Sequence, residues 1–452
     1  MATVFSAARF QFIADALNGA GPFIDGSALV QYPRESADKF ARRKAIAWYA
    51  NALRPAVSRF VGYLMKKSVQ RELPSPILQQ FAEECTWQSD SLSSFWAGFM
   101  LEAKARGSMF LLVDMPRNDP LPGQKPRLTP YLVSIEPERV LRYVLNEYGQ
   151  LKSIAIKDSI QDASGNPQTV ERVYTDTEWI FTGAINARGV HDLGVCPVLA
   201  FTESGLFPCI GDFAGIADLS KRLYNLRSEL DEILRAQTFS LLTYKVPEAS
   251  FPLDMGPIAQ TIGTDNLLQT FPQGAEFIAP PDGPATVYLQ VIAQVEALIR
   301  QITMTADDMS QRQGESGVAL QLRFQALNGA LVQFARRMED FERKVWDLVA
   351  LWLGVQNTAA ISWGKDFSIA DLKLELEIAQ NMTALNAPLI YQQEKLKQLI
   401  ALDLGTLPDD TLAEVLKGVD DMQQEVAPSA VALPEKTVTR QPDGSYSITG
   451  AP

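Results

Sequence analysis

The sequence predicts an α+β fold in which long helices and small sheets occupy separate stretches of the chain. Two observations carry this. Beyond Gly211, apolar residues recur at spacings of three and four over long stretches, the period of an amphipathic helix. Between Pro130 and Phe201 the sequence instead breaks into short apolar runs divided by turn residues, as strands of a meander do.

Taken in order, "DKFARRKAIAWYANALRPAVSRFVGYLMKK" (Asp38 to Lys67) places Ile46, Ala50, Leu53, Val57, Phe60 and Leu64 on a helical repeat, which Pro55 should kink or restart. A second helical stretch covers about Ile77 to Arg106, and "SMFLLVDMP" then reads as a buried strand ended by proline. The runs "TPYLVSI", "RVLRYVLN", "LKSIAIKDSI", "ERVYTDTEWIFTG" and "CPVLAF" form the β-rich region, with turns at Asn146 to Gly149 and at "DASGNP".

After Gly211 a long helix carries Ile216, Leu219, Leu223, Leu226, Leu230 and Ile233, with Asp218/Arg222 and Asp231/Arg235 spaced for i,i+4 pairing. Three strand-like pieces, "LLTYKV", "NLLQTF" and "AEFIAP", follow; so few strands bury little alone and need partners from elsewhere. Helix resumes with Tyr288, Val291, Val295, Leu298 and Ile302 on one stripe. Leu320, Phe324, Leu327, Leu331, Phe334, Met338, Phe341, Val345, Leu348 and Trp352 then define a helix too long for a small domain to cover, so that another helix or another subunit must pack on it. A strand or two and two or three short helices come next, and from Ala427 the composition predicts a disordered tail.

With 452 residues the chain can bury a large core in two to four structural units. Its 41 basic and 53 acidic residues give a net charge of −12, which argues against a protein that coats nucleic acid with its whole surface. The exception is local: Arg34 to Arg71 holds ten basic residues against Glu35 and Asp38, an island of +8 read as a solvated or subunit-facing helix surface. The N-terminus has no secretory pattern and no apolar run has membrane length, so the chain reads as soluble. Cys85, Cys196 and Cys209 are odd in number and far apart, as reduced core thiols would be.

The search for chemistry is mostly negative. One histidine, His191, sits in the turn "NARGVHDLGVCP"; with Cys196 and Cys209 it fits no common zinc spacing. "GESG" at Gly314 to Gly317 lacks the nucleophile pattern and the lysine of a phosphate loop, and "GAGP" near Gly19 has no preceding strand. Asp307 and Asp308 could hold a divalent ion in a metal-dependent helical enzyme, with Asp420-Asp421 the only comparable pair; capping acids are the better account. No cofactor is expected.

The order of parts resembles the portal (head-to-tail connector) proteins of tailed bacteriophages. "YPRESADKFARRKAIAWYANALRPAVSRFVGYLMKK" followed by "LEAKARGSMFLLVDMP" is similar to the start of the family's wing. "GVCPVLAFTESGLFPCIGDFAGIADLSKRLYNLRSELDEIL" resembles its passage through a "gD" turn into the first stem helix, and "ESGVALQLRFQALNGALVQFARRMEDFERKVWDLVALWLG" its tunnel loop and the helix behind it. The resemblance implies a wing over 1–208, stem helices over 209–240 and 285–308 around a clip at 241–284, and a tunnel loop at 309–319. A long wing helix over 320–360, a short crown over 361–425 and the tail at 426–452 complete it.

What the resemblance implies functionally is a non-enzymatic ring, usually of twelve copies, at one capsid vertex of a virion assembled in the host cytoplasm. Double-stranded DNA passes through it during packaging and ejection. The partners would be the terminase large subunit, a head-tail adaptor and the major capsid protein or scaffold, with no membrane. Gln311, Arg312 and Gln313 would project from the tunnel loop toward the channel axis. A bore that lets DNA slide should carry few basic groups, because a lysine- and arginine-lined wall would bind the phosphates tightly.

Overall fold

The computed structural model describes residues 7–116, 127–162, 164–204, 207–238, 241–245, 267–270, 275–278, 283–303, 317–365, 367, 388–403, 409–420, 437–440 and 446–449. The fold is α+β, in two units, Met1–Phe367 and Ser368–Pro452.

The first unit begins with α1 (Ala7–Asn18), α2 (Ala37–Ile46) and α3 (Leu53–Met65). The helical repeat over Asp38 to Lys67 is thus broken at 47–52, and Pro55 falls in the first turn of α3, where a missing N–H costs no helical bond. After β1 (Gln70–Glu72), the single helix expected over Ile77 to Arg106 is two, α4 (Pro76–Glu83) and α5 (Leu92–Arg106). Side chains make the break: Thr86 Oγ1 accepts from the N–H groups of Gln88 and Asp90, and Ser91 Oγ accepts from Ser94 N–H to cap α5. Such local bonds offer the backbone an alternative to helix.

Helix α5 stops at Gly107, whose φ is +85° and whose Cβ, were there one, would lie 2.0 Å from Gly211 N. Conformation and close approach both demand glycine. The chain turns there into β2 (Ser108–Asp114), then runs through β3 (Tyr131–Ile135), β4 (Val140–Leu145), β5 (Leu151–Gln161), β6 (Pro167–Tyr174), β7 (Glu178–Gly183), β8 (Ala187–Val190) and β9 (Val198–Thr202). Strands β4 to β8 form the expected meander, in sequence order. Strand β2 lies between β3 and β9, antiparallel to both.

Alternate side chains of β2 feed two cores. Met109, Leu111 and Val113 join the helices, while Phe110 and Leu112 pack with Ile135, Tyr143, Ile154 and Val198 under the meander. A strand covered on both faces reads as an unbroken apolar run, which is how Met109 to Val113 looks in the sequence.

Beyond β9, α6 (Ala214–Thr238) leads to β10 (Leu241–Lys245), β11 (Leu267–Thr270) and β12 (Ala275–Ile278), and α7 (Gly283–Thr303) follows. Strand β10 is central, parallel to β11 and antiparallel to β12. Helix α8 (Gly317–Leu353) is continuous over 37 residues, roughly 55 Å at 1.5 Å per residue.

The expectation that another helix or another subunit packs on α8 is met by helices of the chain itself. From Leu327 onward Leu331, Phe334, Met338, Phe341, Val345 and Leu348 are buried by the chain's own lobe. Ring contacts between Phe60 and Phe334, Phe99 and Phe341, and Phe81 and Trp346 bind α3, α5 and α4 to it. Strand β13 (Ala360–Ser362) then pairs with β1.

The second unit contains α9 (Leu389–Asp403), α10 (Asp409–Asp420), β14 (Thr437–Arg440) and β15 (Tyr446–Thr449). Gln393 Nε2 donates to Val419 O between its helices. Where composition alone predicts disorder, β14 and β15 pair antiparallel; "TVTR" and "YSIT" are rich in the β-branched and aromatic residues that favour strands.

Two charged groups are buried inside the first unit. Glu342 of α8 is 0% exposed and accepts from Arg71 Nε at 2.6 Å, Trp363 Nε1 at 2.9 Å and Trp346 Nε1 at 3.2 Å. Lys104 of α5 pairs with Glu203 under the rings of Phe60, Phe213 and Phe334. Burial pushes the Glu203 carboxyl up, and Lys104 opposes the shift. Replacing Glu342 with Ala leaves Arg71 charged and two indoles without their acceptor. We expect Glu342→Ala to cost about 3–5 kcal/mol in urea unfolding; a loss under about 1 kcal/mol would mean that water replaces the carboxylate there.

Candidate functional site: the α6–α7 hairpin

Helices α6 and α7 run antiparallel, since Arg227 Nη2 meets Glu296 at 2.9 Å while Tyr288 OH donates to Glu229 at 2.9 Å, so that lower numbers on α6 face higher ones on α7. The chain therefore leaves the lobe along α6, forms the β10–β12 sheet and returns along α7. Leu223 and Leu230 of α6 are buried, as the periodicity requires.

The N-terminal segment clamps α6. Arg9 pairs with Asp218 at 2.6 Å, so Asp218 serves a distant helix rather than the Arg222 that its spacing suggests. Asn225 Oδ1 accepts from Val30 N–H and its amide donates to Ala28 O. Arg43 is buried and donates to Glu35, to Ser228 Oγ at 2.9 Å and to Val30 O at 2.6 Å. Tyr32 OH donates to Glu229 Oε1 at 2.6 Å, which pushes its phenol up to about 12.

The basic island is therefore not uniformly solvated: Arg43 and Arg71 are drawn inward by Glu35 and Glu342, acids that local charge spacing does not single out. Long-range pairing of this kind has no periodic signature.

On α7 the buried face is Ala285, Ile292, Val295, Ile299 and Thr303. The stripe expected from Tyr288, Val291, Val295, Leu298 and Ile302 is rotated from it, with Leu298 48% exposed. Val287, Val291 and Leu298 instead share a flank roughly 110° around the helix from the buried face, with the polar Gln294 between the last two. Val287 is 56% exposed and Val291 half-buried. Helix α7 thus carries apolar residues on two sides, and the chain's own fold covers one.

Of the residues singled out in the sequence, Gln311, Arg312, Gln313, Asp307 and Asp308 lie outside the described residues, as do Asp421 and the side chain of Asp420. His191, Cys196 and Cys209 are not brought together. Cys196 is nearest a backbone acceptor, Tyr174 O, Cys209 donates to Gly107 O at 2.8 Å, and His191 is buried against Trp352 with neither ring nitrogen hydrogen-bonded. His191 is therefore packed in the lobe rather than carried on an open turn. Burial pushes the Cys85 and Cys196 thiols up to about 12, so both are unreactive. Among the described residues no three His, Cys, Asp or Glu side chains gather as a metal site, and no helix is long and apolar enough to cross a membrane.

No family model and no curated protein matches the chain. Among solved structures, a chain of the virion of the native gene transfer agent particle shares 12% identity, at a TM-score of 0.40, over 81% of this chain and 90% of its own. A chain of the neck of the empty particle, computed with C6 symmetry, shares 10% identity at 0.43 over 74% and 89%. A chain of the neck of the native particle, computed with C12 symmetry, shares 11% at 0.38 over 88% and 98%. Likeness at these scores assigns no role.

The clamp on α6 carries a pH signature. Arg43 holds the Glu35 carboxyl below its ordinary 4.5 by hydrogen bonding, ahead of the opposing effect of burial. A lowered folded value means that the pair stabilises the fold above pH 4.5 and ceases to as pH falls through that lower value. Between about pH 6 and pH 3 the unfolding free energy of the wild type should therefore fall further than that of Glu35→Gln. Parallel curves for the two proteins would show that the pair makes no net contribution.

Proposed function

We propose that the chain is a portal-type ring subunit, a conduit for double-stranded DNA at a capsid vertex and a docking platform for the packaging motor and the tail adaptor. The observation that carries this is the second apolar flank of α7. A helix already packed on α6 leaves Val287, Val291 and Leu298 wholly or partly open to solvent in a single copy, and apolar residues aligned in this way mark an interaction site. Gln294 among them adds one polar group, as interfaces between folded chains commonly do.

The three-stranded sheet at the end of the hairpin supports the same reading. Its strands are four or five residues long, and β11 and β12 each have one edge without a partner among the described residues. Sheets this small are not independently stable. A neighbouring copy would supply both missing surfaces at once. One patch meeting a different patch on the next copy is a heterologous contact, and repeated around an axis it closes into a ring.

A conduit needs no catalytic group, and its wall must let phosphates pass. An acidic chain with net charge −12 suits a bore that does not grip DNA. Gln311, Arg312 and Gln313, between α7 and α8 in sequence, are the residues we assign to the channel loop. In a ring of about twelve copies, one arginine per loop becomes a girdle of charge around the duplex.

Mass photometry and negative-stain imaging of the purified chain should show one large oligomer with an axial hole. Leu298→Asp, which places a charge on the exposed flank, should leave folded monomers, while Tyr148→Asp on the outer turn of the meander should still assemble. A wild-type chain that stays monomeric under assembly conditions would overturn the ring. Once rings form, Arg312→Ala should change DNA packaging or genome retention; unchanged packaging and retention would reduce the loop to a connection between helices.

A further inference from the structure

Beside its buried face and its apolar flank, α7 has a third side. At 3.6 residues per turn, Leu289, Glu296 and Arg300 fall about 60–100° to one side of the buried Ile299, while Val287, Val291 and Leu298 fall about 80–120° to the other. The two sets stand roughly opposite each other across the helix.

On the side of Glu296 and Arg300 a recess of about 260 Å³ opens between the loop before α3, the middle of α6 and the last turns of α7. Ala50, Ala52, Pro55, Ala56, Leu223 and Ile299 supply its apolar wall. Toward the start of α7 the same side carries Leu289, which is 57% exposed.

Ridge and recess also share a height along the helix. Leu298 is two residues from both Glu296 and Arg300, about 3 Å along the axis, and Val287 and Val291 are each two residues from Leu289. Rotation about an axis running along α7 therefore carries the Leu298 side of one copy to the recess side of the next at the same level. Polar groups match there as well. One terminal nitrogen of Arg227 pairs with Glu296 at 2.9 Å, and the other is buried without an acceptor. Gln294, beside the ridge and two residues from Glu296, carries an amide oxygen at that level.

We propose that Leu298 of one copy docks in the recess between α3, α6 and α7 of the next, with Val287 and Val291 set against Leu289. This rests on the ring assembly proposed for the chain and adds the surface that receives the α7 flank. The occupant is a second copy because ridge and recess belong to one helix, on opposite sides and in matching register, which is what a heterologous contact requires. Two flanks meeting each other would instead join copies in pairs. The volume suits a few aliphatic side chains, and lies below the roughly 300–1,000 Å³ of small-molecule pockets. Docking takes Leu298 out of water, and the alkyl stem of Arg300 can cover it while the guanidinium stays at the rim.

Cysteine pairing tests the contact directly. Full-length subunits carrying Gln294→Cys and others carrying Ala50→Cys are mixed before assembly, treated with a short bis-maleimide and separated on a denaturing gel; neither change removes a ridge side chain. The mixture should give a covalent dimer that neither variant gives alone, above the wild-type background set by Cys209, the native cysteine that is not buried. The double variant should give a ladder of higher species. Ala50→Trp, which fills the recess, should weaken assembly by roughly tenfold or more while the circular dichroism of the subunit is unchanged. Should that variant misfold, the cross-link decides alone. Rings assembled from the mixture without the dimer, or Gln294→Cys subunits that cross-link to one another, would overturn this contact and leave the ring standing. Folded Ala50→Trp that assembles at wild-type yield would do the same. A wild type that stays monomeric removes the ring, and the contact with it.

Discussion

A carboxylate sealed from solvent must be matched by donors at the moment the chain closes over it, and Glu342 imposes that condition on this fold. Its donors come from Arg71, Trp346 and Trp363, so residues nearly three hundred positions apart must arrive together. The β1–β13 pairing, only three residues long, is held in register beside that cluster. Lys104 makes the same demand about two turns back along α8, where Phe334 forms part of its aromatic enclosure and Glu203 its counter-charge. Buried charges of this kind contribute little net stability, but a misplaced one is costly, and they thereby select a single arrangement of α8 against the lobe.

That arrangement occupies the apolar face of α8. Rings from α3, α4 and α5 cover it, β2 packs on it, and Trp352 Nε1 donates to Val113 O at 2.9 Å near its end. The α6–α7 hairpin is held differently. It is clamped by polar bonds from Arg9, Val30, Arg43 and Tyr32 to α6, and its own interface buries only one face of α7. The stripe of the longest helix from Leu327 to Leu348 is thus covered within the chain, whereas the shorter α7 keeps Val287, Val291 and Leu298 wholly or partly exposed.

The sequence pattern reaches the elements whose periodicity reflects nearby burial. The strand β2 is legible as buried on both sides because its residues as far as Val113 are apolar or small; α8 is legible because one stripe persists over ten positions. What it misreads follows from long-range partners. Val291 and Leu298 of α7 are as apolar as Ile292 and Val295, and the composition of the helix cannot say which set meets α6. Asp218 is correctly spaced for Arg222 but is taken by Arg9. Arg59, Arg227 and Arg300 are the extreme case, since they are scattered across the sequence and only the packing of α3, α6 and α7 brings them to the lining of one recess.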